Sequence, residues 1–143
     1  MMKISTKGRY ALRVMVDLAQ SEDEKFISLK VISQRQEISL KYLEAIIGIL
    51  NRAGFVQSLR GAKGGYKLRR SPKEYSVGEI LQTTEGSLSL VDCGSCENES
   101  RCSRSRDCYT LPIYSNLEDV INNYLNSVSL YDVANREYKN NII

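Results

Sequence analysis

Four cysteines, Cys93, Cys96, Cys102 and Cys108, fall within sixteen residues, and the chain contains no others. They stand in VDCGSCENESRCSRSRDC among Gly, Ser, Asn, Arg and acidic residues, where a thiol finds little apolar surface to bury itself in. Cysteines used only as small core residues would be scattered among apolar runs. Concentrated in this way they suit soft-metal ligation by thiolates or thiol redox chemistry. Arg101, Arg104 and Arg106 favour the thiolate form in either case. Iron–sulfur ligation, a four-thiolate zinc site with one Cys-x2-Cys step, and a metal-free thiol switch all stand open on these residues alone.

A second group of candidates is basic. Residues 1–75 hold 15 Lys and Arg against 7 Asp and Glu, a net of +8, whereas residues 76–143 hold 5 against 10, a net of −5. A basic half joined to an acidic half implies a nucleic-acid-facing module followed by a regulatory or assembly segment. The chain has no histidine to act as a base, and no nucleotide-binding glycine motif, so a redox or electron-transfer enzyme is disfavoured. No stretch approaches the roughly 18 apolar residues that span a bilayer. Cytoplasmic residence is expected, with the cysteines acting as ligands or redox groups rather than as a disulfide framework.

The elements that must position these residues follow from periodicity. Tyr10, Ala11, Val14, Met15, Leu18 and Ala19 keep the rhythm of one helix face, interrupted by Lys7, Arg9, Arg13 and Asp17. Ser28 caps a short helix over Leu29–Gln36, Glu37–Ile38 break it, and Ser39 caps a third helix with the face Leu40, Leu43, Ile46, Ile47 and Leu50. FVQSLRGAKGGYKLRR then predicts a β-hairpin with Arg60 and Lys63 at or near its tip. Ser76 and Glu79 predict a capping box opening a fourth helix. Beyond Pro112, a coiled-coil-like seam of Tyr114, Leu117, Ile121, Tyr124 and Val128 predicts a long helix that needs a partner, with Val120 and Leu125 broadening it.

Two short helices followed by a glycine-rich basic hairpin make a winged helix. The fold is expected to be mainly α with a small β-hairpin wing: a winged helix-turn-helix plus a long C-terminal dimerisation helix. Residues 1–88 form the DNA-binding domain, 89–111 the cysteine loop, and 112–143 the dimerisation helix and C-terminal segment. A helix fits the major groove and a cationic hairpin reaches backbone or minor groove, so the candidate DNA contacts are Ser39, Lys41, Tyr42 and Glu44 on the third helix with Arg60 and Lys63 on the wing. Glu44 is the unusual member, since a carboxylate repels phosphate yet accepts from cytosine N4. Double-stranded operator DNA and a second copy of the chain are the expected partners, with no membrane.

KISTKGRYALRVMVDLA, SLKYLEAIIGILNRAGFVQSLRGAKGGYKL and SVGEILQTTEG resemble the bacterial winged-helix regulators that include IscR, NsrR and CymR, the Rrf-two family, from Met2 to about Tyr138. The resemblance implies a dimeric transcription regulator, most often a repressor, and for several members an iron–sulfur cluster, of the [2Fe-2S] type in the IscR-like ones, held by three cysteines. It also implies that Glu44 tunes site choice and that Arg60 is the wing arginine. Cys96-x5-Cys102-x5-Cys108 reproduces the IscR loop spacing, whereas counting forward from Gly78–Glu79 puts Cys93 at the first ligand in a loop three residues longer. Cys102 and Cys108 serve in both alignments, and Cys93 and Cys96 compete or act together. IscR-like proteins carry a histidine three residues after the last cysteine, where this chain has Leu111. Zinc, or a cluster-free regulator of cysteine metabolism of the CymR type, are the alternatives.

Overall fold

The computed structural model describes residues 3–21, 25–91, 93 and 102–137. Helix α1 (Thr6–Gln20) starts a turn before its apolar rhythm, because the Ser5 side chain caps it by accepting from the Gly8 N–H. Helices α2 (Leu29–Gln36) and α3 (Leu40–Arg52) begin at the expected caps, Ser28 and Ser39. Between them Glu37 adopts the left-handed conformation, φ 54° and ψ 44°, and donates its N–H to the Ser33 carbonyl. The Ser33 hydroxyl donates in turn to the Ile38 carbonyl at 2.6 Å, and Ile38 is buried, so the turn is held from both sides.

Strands β1 (Val56–Leu59) and β2 (Gly65–Leu68) pair antiparallel, Val56 opposite Leu68 and Leu59 opposite Gly65. Ile27 adds an isolated antiparallel bridge to β2, exchanging backbone hydrogen bonds with Tyr66 at 2.9 and 2.8 Å. Gly65 is required there: at φ +154° a Cβ would lie 2.3 Å from the Ile27 carbonyl. A 3-10 turn over Pro72–Glu74 leads to α4 (Val77–Glu85). A second 3-10 turn over Ser105–Asp107 precedes α5 (Leu111–Ser127) and the short α6 (Leu130–Asn135).

One core joins these helices: Val14, Met15, Ile32, Leu43, Ile46, Leu50, Tyr75, Ile80 and Leu130 are all buried within it. The Tyr75 hydroxyl satisfies itself there by donating to the Phe55 carbonyl at 2.6 Å. Leu130 comes from the far end of the chain. Its N–H donates to the Tyr75 carbonyl and the Val77 N–H donates to the Val128 carbonyl, both at 2.9 Å, so the segment after α5 returns to this core. Among the described residues no helix is long and apolar enough to cross a membrane.

Two local expectations need correction. Ser76 does cap α4 by accepting from the Glu79 N–H at 3.0 Å, but the Glu79 carboxylate does not complete a capping box. It binds Arg70 at 3.1 Å, because a guanidinium is a stronger partner than a neutral amide. The reciprocal boxes lie instead at Ser71–Glu74 and Ser129–Asp132. The helical part of the α5 seam is also shorter. Val128 leaves the helix with φ −99° and ψ 119°. The exposed apolar residues of α5 are Ile113, Tyr114, Leu117, Val120 and Tyr124, at 63, 40, 47, 51 and 50 % exposure, while Ile121 and Leu125 are half-buried.

Candidate nucleic-acid interface and cysteine loop

Helix α3 buries Leu43, Ile46, Ile47 and Leu50, and this turns Leu40, Lys41, Glu44, Ala45, Asn51 and Arg52 to the surface. Of the expected contacts, Lys41 and Glu44 are fully on that surface. Ser39 is exposed but its hydroxyl already accepts from the Tyr42 N–H at 3.3 Å, which makes it first a cap. Tyr42 is half-buried, edge-on to Tyr10 with ring centroids 5.8 Å apart, and that contact with α1 aims its ring. Arg60 and Lys63 are exposed in the five-residue loop between β1 and β2, and Gly64 N–H closes the loop onto the Gly61 carbonyl at 2.9 Å.

The helix-turn-helix is oriented by a residue that the sequence pattern disguised. Asp17 is buried on α1, where the Gln36 side-chain amide donates to Oδ2 at 2.8 Å and Arg35 lies 3.7 Å from Oδ1. Arg13 donates from the same helix to the side-chain and backbone oxygens of Gln36. A carboxylate interrupting an apolar face was the available signal; its partners, about twenty residues away, were not.

The cysteine loop joins α4 to α5. Its start is tied to α5 by Glu118, whose carboxylate accepts from the Leu90 N–H at 2.6 Å and the Ser89 hydroxyl at 2.8 Å. Cys93, Cys102 and Cys108 are of intermediate exposure and none is in a disulfide; Cys96 and Arg101 lie outside the described residues. Cys108 sits just before α5. The Thr110 hydroxyl, 3.4 Å from its sulfur, and the backbone of Thr110 and Leu111 hold the thiol below its ordinary pKa, with a smaller contribution from Arg104. The donor chemistry, several accessible thiols of which one favours thiolate, fits a thiolate-bound iron–sulfur or zinc centre. Among the described residues no three Cys, His, Asp or Glu stand close enough to share a metal ion.

Comparison with known proteins agrees with this architecture. Residues 4–136 match the family model Rrf2, described as "Iron-dependent Transcriptional regulator". The HTH-type transcriptional regulator IscR of Pectobacterium carotovorum is 36 % identical over 136 residues, 95 % of this chain and 81 % of that one. Among solved structures, CymR, the global cysteine regulator of B. subtilis, superposes with a TM-score of 0.76 at 38 % identity, covering 95 % of this chain and 98 % of its own. T. potens IscR superposes with a TM-score of 0.73 at 34 % identity, covering 99 % and 93 %. These relatives are transcription regulators and not enzymes. The winged-helix frame and these relatives agree: the chain is a DNA-binding transcription regulator that belongs to the Rrf2 (Rrf-two) family.

Proposed function

We propose that the protein is a cytoplasmic, homodimeric repressor that binds a palindromic operator, with an iron–sulfur cluster in the cysteine loop controlling that binding. The observation that carries this reading is the position of the cysteines, in the segment that links α4 of the DNA-binding module to α5. Cys93, Cys102 and Cys108 would hold the cluster, with Cys96 as a fourth ligand. When bound, such a cluster supplies chemistry sensitive to iron supply, oxygen or nitric oxide. The chain's own part is mechanical. Glu118 clamps the loop's start to α5, and Cys108 adjoins that helix's first turn, so reordering the loop moves the DNA-binding modules relative to the dimer axis.

A second reading rests on one specific feature. The chain has no histidine, and Leu111 occupies the position of the IscR-like fourth ligand. A cluster-free regulator of cysteine metabolism, of the kind represented by CymR, would need no such ligand. Anaerobic purification separates the readings. Broad visible absorption with bound iron and sulfide supports the cluster; colourless protein with stoichiometric zinc assigns a zinc site; colourless, metal-free protein assigns the thiol-based reading. In coloured protein, Cys102→Ser and Cys108→Ser should each abolish the chromophore. Cys93→Ser should do the same, with Cys96→Ser altering it. A stable, fully occupied cluster in either Cys102→Ser or Cys108→Ser rules out this ligand set.

In the operator complex Lys41, Tyr42 and Glu44, with Ser39 at the helix start, face the major groove, and Arg60 and Lys63 meet backbone or minor groove. Arg60→Ala should weaken binding and reduce the salt dependence, by about 0.9 in the log–log slope per phosphate contact, hence about 1.8 for a dimer. An unchanged slope and affinity would remove Arg60 from the interface. Glu44 acts by exclusion, tolerating a cytosine donor and repelling other approaches. Competition binding of Glu44→Ala should therefore reveal a broader set of sites, each former mismatch costing roughly 1–3 kcal/mol less. A site ranking identical to the parent's would reduce Glu44 to a solvated charge.

A further inference from the structure

A cavity of about 590 Å³ among the described residues lies away from both the cysteine loop and the DNA-reading surface. Its walls come from the end of α1, the base of β2, the Pro72–Glu74 turn and α6, with none from α3 or the wing loop. Among the described residues its lining is one-sided in charge: five of the fourteen described lining residues are Lys or Arg and none of the fourteen is Asp or Glu. Arg70 is already committed to Glu79, and Arg69 anchors itself through Nε to the Val56 carbonyl at 3.0 Å. Lys25 and Lys73 are exposed at the cavity, and the Lys73 ammonium lies over the Tyr131 ring, 4.7 Å from its centroid, with Tyr131 also lining the cavity. The size falls in the range of small-molecule sites, about 300–1,000 Å³, and a concave surface lined by one sign of charge concentrates counter-ions.

We propose that this cavity binds a small organic anion, with a carboxylate or phosphate head placed among Lys25, Arg69 and Lys73 and a short polar body against Tyr131 and Asn135. Such an occupant bridges the base of the wing to the C-terminal segment and gives the regulator a small-molecule input separate from its thiols. The inference goes beyond the cluster reading and does not depend on it. DNA phosphate is the competing source of the same chemistry. The concave shape, the aromatic wall and the absence of α3 and wing-loop residues favour a small molecule.

Isothermal titration of the full chain at fixed ionic strength, with inorganic phosphate, glycerol 3-phosphate and succinate as separate probes, tests this. The full chain includes any competition from the acidic residues 22–24 that adjoin Lys25 in sequence. Saturable one-site binding of at least one probe is expected, with a dissociation constant on the order of 1 mM or tighter. Phosphates alone, succinate alone, or both classes then identify the head group. Lys25→Gln with Lys73→Gln should weaken that binding at least tenfold, whereas Lys30→Gln, an exposed α2 lysine outside the cavity, should leave it unchanged, with folding of each variant checked by far-UV circular dichroism. Absence of saturation for every probe overturns the proposal. So does a double variant that keeps probe binding but loses operator affinity with a shallower salt slope, because the two lysines are then DNA-backbone contacts.

Discussion

Leu117→Asp combined with Val120→Asp yields a folded monomer with little operator affinity. In a single chain both side chains are about half exposed and α5 has no buried residue, so the charges cost the isolated fold little. In a dimer they would enter an apolar seam together with their counterparts from the second copy. Burying unpaired carboxylates costs several kcal/mol, and roughly 4 kcal/mol already raises a dimer dissociation constant about a thousandfold. Sedimentation equilibrium reads the mass, and circular dichroism verifies that helix content is retained. An intact dimer in the double variant assigns the interface elsewhere. Val120 is chosen over Ile121 because Ile121 is half-buried, where a charge would disturb the monomer as well.

Leu130→Ala should destabilise the whole domain. Leu130 is 0 % exposed within the core that holds Met15, Leu50 and Tyr75, and truncating a buried leucine costs about 2–5 kcal/mol in transfer and cavity terms. For a chain of this size that corresponds to a fall in melting temperature on the order of 10 °C. The effect is informative because Leu130 belongs to a six-residue helix that follows α5. If α6 were a loosely attached tail, its truncation would melt locally and leave the main transition in place. Thermal unfolding followed by far-UV circular dichroism and by tyrosine fluorescence distinguishes a lowered single transition from an early minor one.

The residues that the sequence made legible are those whose partners are near in the chain. Ser28 and Ser39 cap helices because their hydroxyls reach backbone N–H groups three residues on, and the faces of α1 and α3 are written at intervals of three and four. The wing was equally readable, since Gly64 answers to the carbonyls of Leu59 and Gly61 in its own turn, and a family resemblance spanning nearly the whole chain pointed the same way. Tertiary structure alone decided the rest. Whether Glu79 turns back to its own cap or out to Arg70 depends on where the chain after the wing passes. Asp17 looked like an interruption until Gln36 and Arg35 were brought against it. Which stripe of α5 stays open is set by contacts some fifty residues apart: Val77 to Val128, and Gly78, where a Cβ would lie 2.1 Å from the Asn126 side chain. An amphipathic pattern specifies that a face will be covered, but periodicity carries no record of the covering element, and a rotation of one position along a helix exchanges an open residue for a covered one. The basic cavity is of the same kind, assembled from α1, the base of the wing and α6, whose lysines read in sequence as ordinary solvated charges.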